Sequence, residues 1–173
     1  ILKRQGAMED YSPEMIQKAD RIYWKMSTEE RERLARNIIV VSQGFIDGVI
    51  KEETSGYKQL FLNYLRQYEH TGADELRDNL AYFLNAVIPV AEEEGIRLAI
   101  HPDDPPYPVL GLPRIVGTLE DIRKIMDLNS SPNHGLTFCA GSLSARKDND
   151  IPLMAKELAP RIQFLHLRNT CWL

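Results

Sequence analysis

Three residues with the chemistry of transition-metal ligands, His101, Cys139 and His166, each stand at the end of a short apolar run. The runs are IRLAIH (96–101), LTFCAG (136–141) and IQFLHLR (162–168). The three residues lie 38 and 27 residues apart, spacings that suit one strand–helix unit each. If the runs are neighbouring parallel strands, their C-terminal ends share one rim. Imidazole, thiolate and imidazole then converge there, a donor set for a divalent transition metal. Each residue also has a plainer reading. A histidine at a strand end is often a hydrogen-bonded structural group, and a cysteine inside LTFCAG is often a small buried hydrophobe. Their shared position at three successive strand tips is what favours the metal.

The residues around these tips extend the site. Behind His101 comes PDDPPYPVLGLPR, a stiff proline-rich loop that leaves the strand and walls the rim. Within it Asp103 and Asp104 suit the orientation of a ligand histidine or contact with substrate hydroxyls. Just past Cys139, Gly141 and Ser142 fit close approach to a substrate oxygen, or an ordinary turn. Arg168, two residues past His166, has the fork that grips a carboxylate, although a surface ion pair is the alternative. His70 and His134 sit among turn residues and read as solvated, and Cys171 has no helper beside it and receives no role.

The elements that must hold these groups follow from periodicity and caps. Up to Gly95 the chain reads as helical. One helix opens with Ser12 as N-cap and Pro13 at its first position. The next opens with a capping box from Ser27 to Glu30 and stops at Gly44. Its run of Glu and Arg is a solvated face. A third covers about 57–68, and a long one covers about 73–94. In the long helix Leu76, Leu80, Phe83, Leu84, Val87, Ile88 and Ala91 form one buried stripe, with Gly95 as its stop. After Gly95 the three strand candidates alternate with TLEDIRKIMDLN, capped by Thr118, and IPLMAKELA, which starts at Pro152. That alternation predicts an α/β fold with parallel βα units. The expected division is a mainly helical segment over 1–94 and three βα units over 95–173.

The totals set bounds on function. The 173 residues are 43% hydrophobic and 27% charged, ordinary globular proportions. A net charge of −4 and a pI near 5.6 argue against a nucleic-acid partner. No apolar stretch approaches the roughly 20 residues that span a bilayer, and ILKRQGAMEDY has no signal-peptide pattern, so the expectation is a cytoplasmic protein with no membrane partner. Two cysteines fit a reducing compartment.

Taken together and in order, AIHPDDPP, LGLPRIV, TFCAGS and FLHLRNT closely resemble the mannonate dehydratase family. RDNLAYFLNAVIPVAEEEGIRLAIHPDDPP and the early RNIIV extend the likeness over nearly the whole chain. The resemblance implies a TIM-type (β/α)8 barrel of the xylose isomerase-like group, with a helical excursion between barrel strands. It also implies a hydro-lyase of glucuronate catabolism that converts D-mannonate to 2-keto-3-deoxy-D-gluconate with Mn²⁺ or Fe²⁺. Exposed apolar surface on so short a chain adds the expectation of a homo-oligomer, a dimer. On the family pattern His101, Cys139 and His166 are the metal ligands. Among the remaining residues, Arg168 is the candidate for the substrate carboxylate, Asp103 or Asp104 for its hydroxyls and Ser142 for a substrate oxygen. The softness of a thiolate would instead favour zinc or iron. A barrel needs about 250 residues plus insertions, so the chain reads as a truncated, partial barrel with a largely helical N-terminal insertion. The alternatives are a metal-dependent sugar isomerase or hydrolase on the same barrel, which the cysteine disfavours, and a non-catalytic fragment.

Overall fold

The structure is a computed structural model that describes residues 6–41 and 56–171. The chain forms two compact units: Ile1–His70 with Leu110–Leu112, and Thr71–Val109 with Pro113–Leu173.

The first unit is helical. Helix α1 (Pro13–Lys25) begins where the Ser12 side chain accepts the Met15 N–H, with Pro13 in the first turn. In α2 (Thr28–Arg36) the Ser27–Glu30 capping box closes in both directions. A π-helical turn, Asn37–Val41, follows directly; the expected stop at Gly44 lies outside the described residues. Helix α3 (Tyr57–Gln67) buries Phe61 and Leu65 with Ile39, against Leu110 and Leu112.

The second unit holds a three-stranded parallel sheet in the order β1 (Leu98–Ile100), β2 (His134–Cys139), β3 (Ile162–His166). Helix α4 (Ala73–Glu93) leads into β1, and α5 (Leu119–Asp127) connects β1 to β2. Helices α6 (Ala140–Ser144) and α7 (Ile151–Leu158) lie between β2 and β3. Consecutive parallel strands with helical crossovers are what the alternating pattern requires. The core gathers Ile122, Ile125 and Met126 of α5, Leu136 and Phe138 of β2, Leu143, and Met154 and Leu158 of α7. Strand β2 is buried along its whole length, whereas β3 leaves Phe164 and Leu165 exposed.

Three details depart from the sequence pattern. The stripe on α4 buries Leu84, Ile88 and Ala91 as expected, but Phe83 is 55% exposed, because it sits at the edge of the arc that meets the core. Strand β2 starts at His134, two residues early, and His134 is buried rather than solvated: its Nε2–H donates to the Ile125 carbonyl at 3.0 Å. Helix α6 follows Cys139 without a loop, so the cysteine serves as its N-cap.

Candidate metal centre

Strand register decides which side chains meet. Leu136 pairs with Ile162, yet Cys139 pairs with His166, because a bulge between Leu136 and Thr137 inserts one residue on β3. Without it Cys139 would face Leu165, and the ligand pattern would be out of phase by one. Gly135 makes room at the bulge: a Cβ there would stand 2.5 Å from Gln163 Cδ and 2.6 Å from the Arg161 carbonyl oxygen.

His101 follows the last residue of β1, and its ring reaches across to β3. Its Nδ1–H donates to the Pro102 carbonyl at 2.7 Å, since a carbonyl can only accept. That bond fixes the tautomer and leaves the Nε2 lone pair turned inward, 3.1 Å from His166 Nδ1. The two rings are 5.1 Å apart, and Phe164 stands edge-on to His166. His101, Cys139 and His166 each present a ligand atom within 4.8 Å of the others, the one such group among the described residues. Donors at 2.0–2.3 Å from one tetrahedral ion stand roughly 3.3–3.8 Å apart, so an inward closure of about 1 Å would seat a shared ion. The donor set of two imidazoles and a thiolate fits a divalent transition metal.

Cys139 is fully buried. Burial alone pushes its thiol up, but hydrogen bonds from Arg168, Ser142 and His166 outweigh it and bring the pKa to about 6. The sulfur is therefore a thiolate at neutral pH, the form that ligates metals.

The other expected residues divide by what they touch. Asp103 clamps the proline-rich loop: its Oδ2 accepts the Ile115 and Val116 N–H groups at 2.9 and 2.8 Å, and Arg114 lies 3.5 Å from its other oxygen. Asp104 Oδ2 accepts the Ser142 hydroxyl at 3.0 Å. Arg168 Nη2 donates to Cys139 Sγ at 2.9 Å and to Ser142 Oγ at 3.1 Å. Asp104, Ser142 and Arg168 thus join the ligand cluster, and Asp103 faces away into its own loop. Sequence reasoning did not single out the Pro102 carbonyl, the bulge or the cradle that Gly141 makes for Arg168; only the glycines at 135 and 141 carried any trace of the last two.

With this geometry in view, likenesses to other proteins take on meaning. The D-mannonate dehydratase (UxuA) family model matches residues 9–172. Mannonate dehydratase 2 of Agrobacterium fabrum is 43% identical over 169 residues, 98% of this chain and 41% of that protein. Mannonate dehydratase of Saccharophagus degradans is 40% identical with the same coverage. The chain therefore spans about two fifths of the length of these curated relatives. The crystal structure of mannonate dehydratase from Streptococcus suis serotype 2 superposes with a TM-score of 0.57 at 41% identity, over 58% of this chain and 30% of that one.

Proposed function

The chain belongs to the mannonate dehydratase family, and on that premise we propose that it serves the dehydration of D-mannonate to 2-keto-3-deoxy-D-gluconate at a divalent metal held by His101, Cys139 and His166. The observation that carries this reading is the convergence of those three donors at adjacent strand ends. In the same reading β1, β2 and β3 are strands of a (β/α)8 barrel, residues 95–173 carry its three βα units, and 1–94 supply a barrel helix and the helical insertion. A cytoplasmic location and a homodimer go with it. The exposed Phe164, Leu165 and Leu167 favour association. Among the described residues no helix is long and apolar enough to cross a membrane.

The reaction removes the proton on C2, beside the carboxylate, and releases the C3 hydroxyl as water; the enol left behind becomes the 2-keto acid. Its barrier lies in the negative charge that builds on the carboxylate side as the proton departs. Mn²⁺ or Fe²⁺ would supply Lewis-acid stabilisation of that charge. The chain's own residues hold and orient. The Pro102 carbonyl keeps the His101 Nε2 lone pair facing the site. The bulge keeps His166 level with Cys139. Arg168 and Asp104, each with a side chain 55% exposed, are the rim groups open to substrate, Arg168 toward a carboxylate and Asp104 toward hydroxyls. Ser142 stands behind them at 2% exposure.

Calorimetric titration of the metal-free chain with Mn²⁺, paired with a D-mannonate turnover assay, tests the reading. Binding at one equivalent that Cys139→Ser abolishes is the expected result. Binding that survives Cys139→Ser, or turnover indifferent to added metal, would overturn it.

A further inference from the structure

Ser142 poses a problem of hydrogen bookkeeping. Its hydroxyl has one hydrogen, but Asp104 Oδ2 at 3.0 Å and Cys139 Sγ at 3.1 Å both stand within reach as acceptors. Arg168 resolves it, because Nη2 carries two hydrogens and lies 2.9 Å from Sγ and 3.1 Å from Ser142 Oγ. One assignment serves all three acceptors, Asp104 Oδ2, Ser142 Oγ and Cys139 Sγ, at 3.1 Å or less. Ser142 donates to Asp104, accepts from Arg168, and leaves Arg168's second hydrogen for the sulfur. The chain of bonds runs Asp104, Ser142, Arg168, Cys139, and joins the loop after β1, the helix after β2 and the residues after β3.

A second observation shows that the arginine's path is built. At Gly141 a Cβ would stand 2.7 Å from Arg168 Cβ and 3.2 Å from Arg168 Nε. Only a glycine lets the side chain lie flat across this turn and reach back to the sulfur.

Stability does not account for the arrangement. The Arg168–Asp104 contact is 3.5 Å long with both side chains 55% exposed, and water screens so open a pair. The sulfur contact is the part with chemical consequence. A guanidinium N–H on a thiolate withdraws electron density from sulfur, lowers the energy of its lone pairs and fixes the direction in which the remaining ones point.

We propose that Arg168, latched by Ser142 and Asp104 and admitted by Gly141, is a positioning residue that aims Cys139 Sγ at the metal and tempers its electron donation. This rests on the metal reading above. It makes Asp104 and Ser142 an outer support of the thiolate, and it gives the acidic residue behind His101 a task that a ligand role would not.

The test uses the full chain and Co²⁺, because sulfur-to-cobalt charge transfer gives a near-ultraviolet band whose energy reports the sulfur lone pairs. The unsubstituted chain should show this band, and Cys139→Ser should lose it. Arg168→Met should move the band to longer wavelength and weaken Co²⁺ binding by about 10- to 100-fold. Arg168→Lys, which returns one cationic donor, should recover part of both effects. Ser142→Ala, which keeps the arginine but removes its latch, should shift the band less and in the same direction. If Arg168→Met and Ser142→Ala both kept the original band and affinity, the proposal would fall while the metal site stood. If the unsubstituted chain gave no sulfur band, both would fall. Should Arg168→Met not fold, Arg168→Lys and Ser142→Ala decide by the same two readouts.

Discussion

The two ends of the sheet use the same residue types to opposite purpose. At the start of β2 and β3, His134 and Arg161 spend their N–H groups on backbone carbonyls. His134 donates to Ile125, while Arg161 donates to the His134 carbonyl at 2.8 and 3.0 Å and to that of Asn129 at 2.9 Å. Asn133 does likewise, donating to the Ala91 and Ile96 carbonyls. At the other end His101, His166, Cys139 and Arg168 turn toward one another, and only one of their bonds named here, His101 to Pro102, ends on a neighbouring carbonyl. A side chain committed to backbone carbonyls is structural, since its protons have nowhere else to go. Side chains that face each other leave lone pairs a ligand can take.

The sharpest way to break this contrast is to make one substitution at both ends. His134→Ala removes a buried ring and strands the Ile125 carbonyl, at a cost of about 3 kcal/mol. For a chain of this size that is a fall in melting temperature of roughly 6–12 °C, with Mn²⁺ affinity unchanged. His101→Ala, at an exposed position, should leave the metal-free melt within about 0.5 kcal/mol but weaken Mn²⁺ binding by more than about 100-fold. Calorimetry and thermal melts on the same two variants read both quantities. If the two profiles matched, the division of labour would be wrong.

Arg161→Ala should come next, at about 2 kcal/mol for carbonyls left without a charged donor, again seen in the melt and absent from the metal titration. Gly135→Ala is smaller and more searching. The added methyl would collide with the Arg161 carbonyl, and accommodating it should cost about 1–2 kcal/mol. Because this crowding occurs at the bulge that sets His166 opposite Cys139, any loss of metal affinity would show that the two ends are coupled through β3.

What could be read before the structure follows from range. Caps at Ser12, Ser27 and Thr118 lie within four residues of what they bond, and the structure keeps all three. The parallel order of the strands was legible too, because apolar runs alternating with helices leave few other arrangements. SSPNH has the composition of a turn, which is why the sequence places His134 in solvent. The turn is real, but it closes early through Ser131 and Asn129, and the strand begins at once. The bulge at β3, the clamp of Asp103 on residues 115 and 116 and the return of Arg168 to Cys139 all depend on partners 12 or more residues away. No local pattern announces them.

Acidity also separates the two ends. His134 is held below the ordinary imidazole value, chiefly by burial and further by Arg161, against the pull of its bond to Ile125. Its neutral form belongs to the fold, so its contribution is complete above about pH 6.5 and is lost as pH falls through the lower folded value. Cys139 is also depressed, from 9.0 to about 6, but here the ionised form belongs to the fold. Its contribution is complete above pH 9 and is lost as pH falls from there through about 6. Denaturant midpoints of the metal-free chain should therefore decline with falling pH over two windows. Cys139→Ser should flatten the slope between pH 9 and 6 and leave the acid side intact, whereas His134→Gln should flatten only the part below about 6.5. A single variant that flattened both would mean that the sheet's ends titrate as one network, and the contrast between them would have to be abandoned.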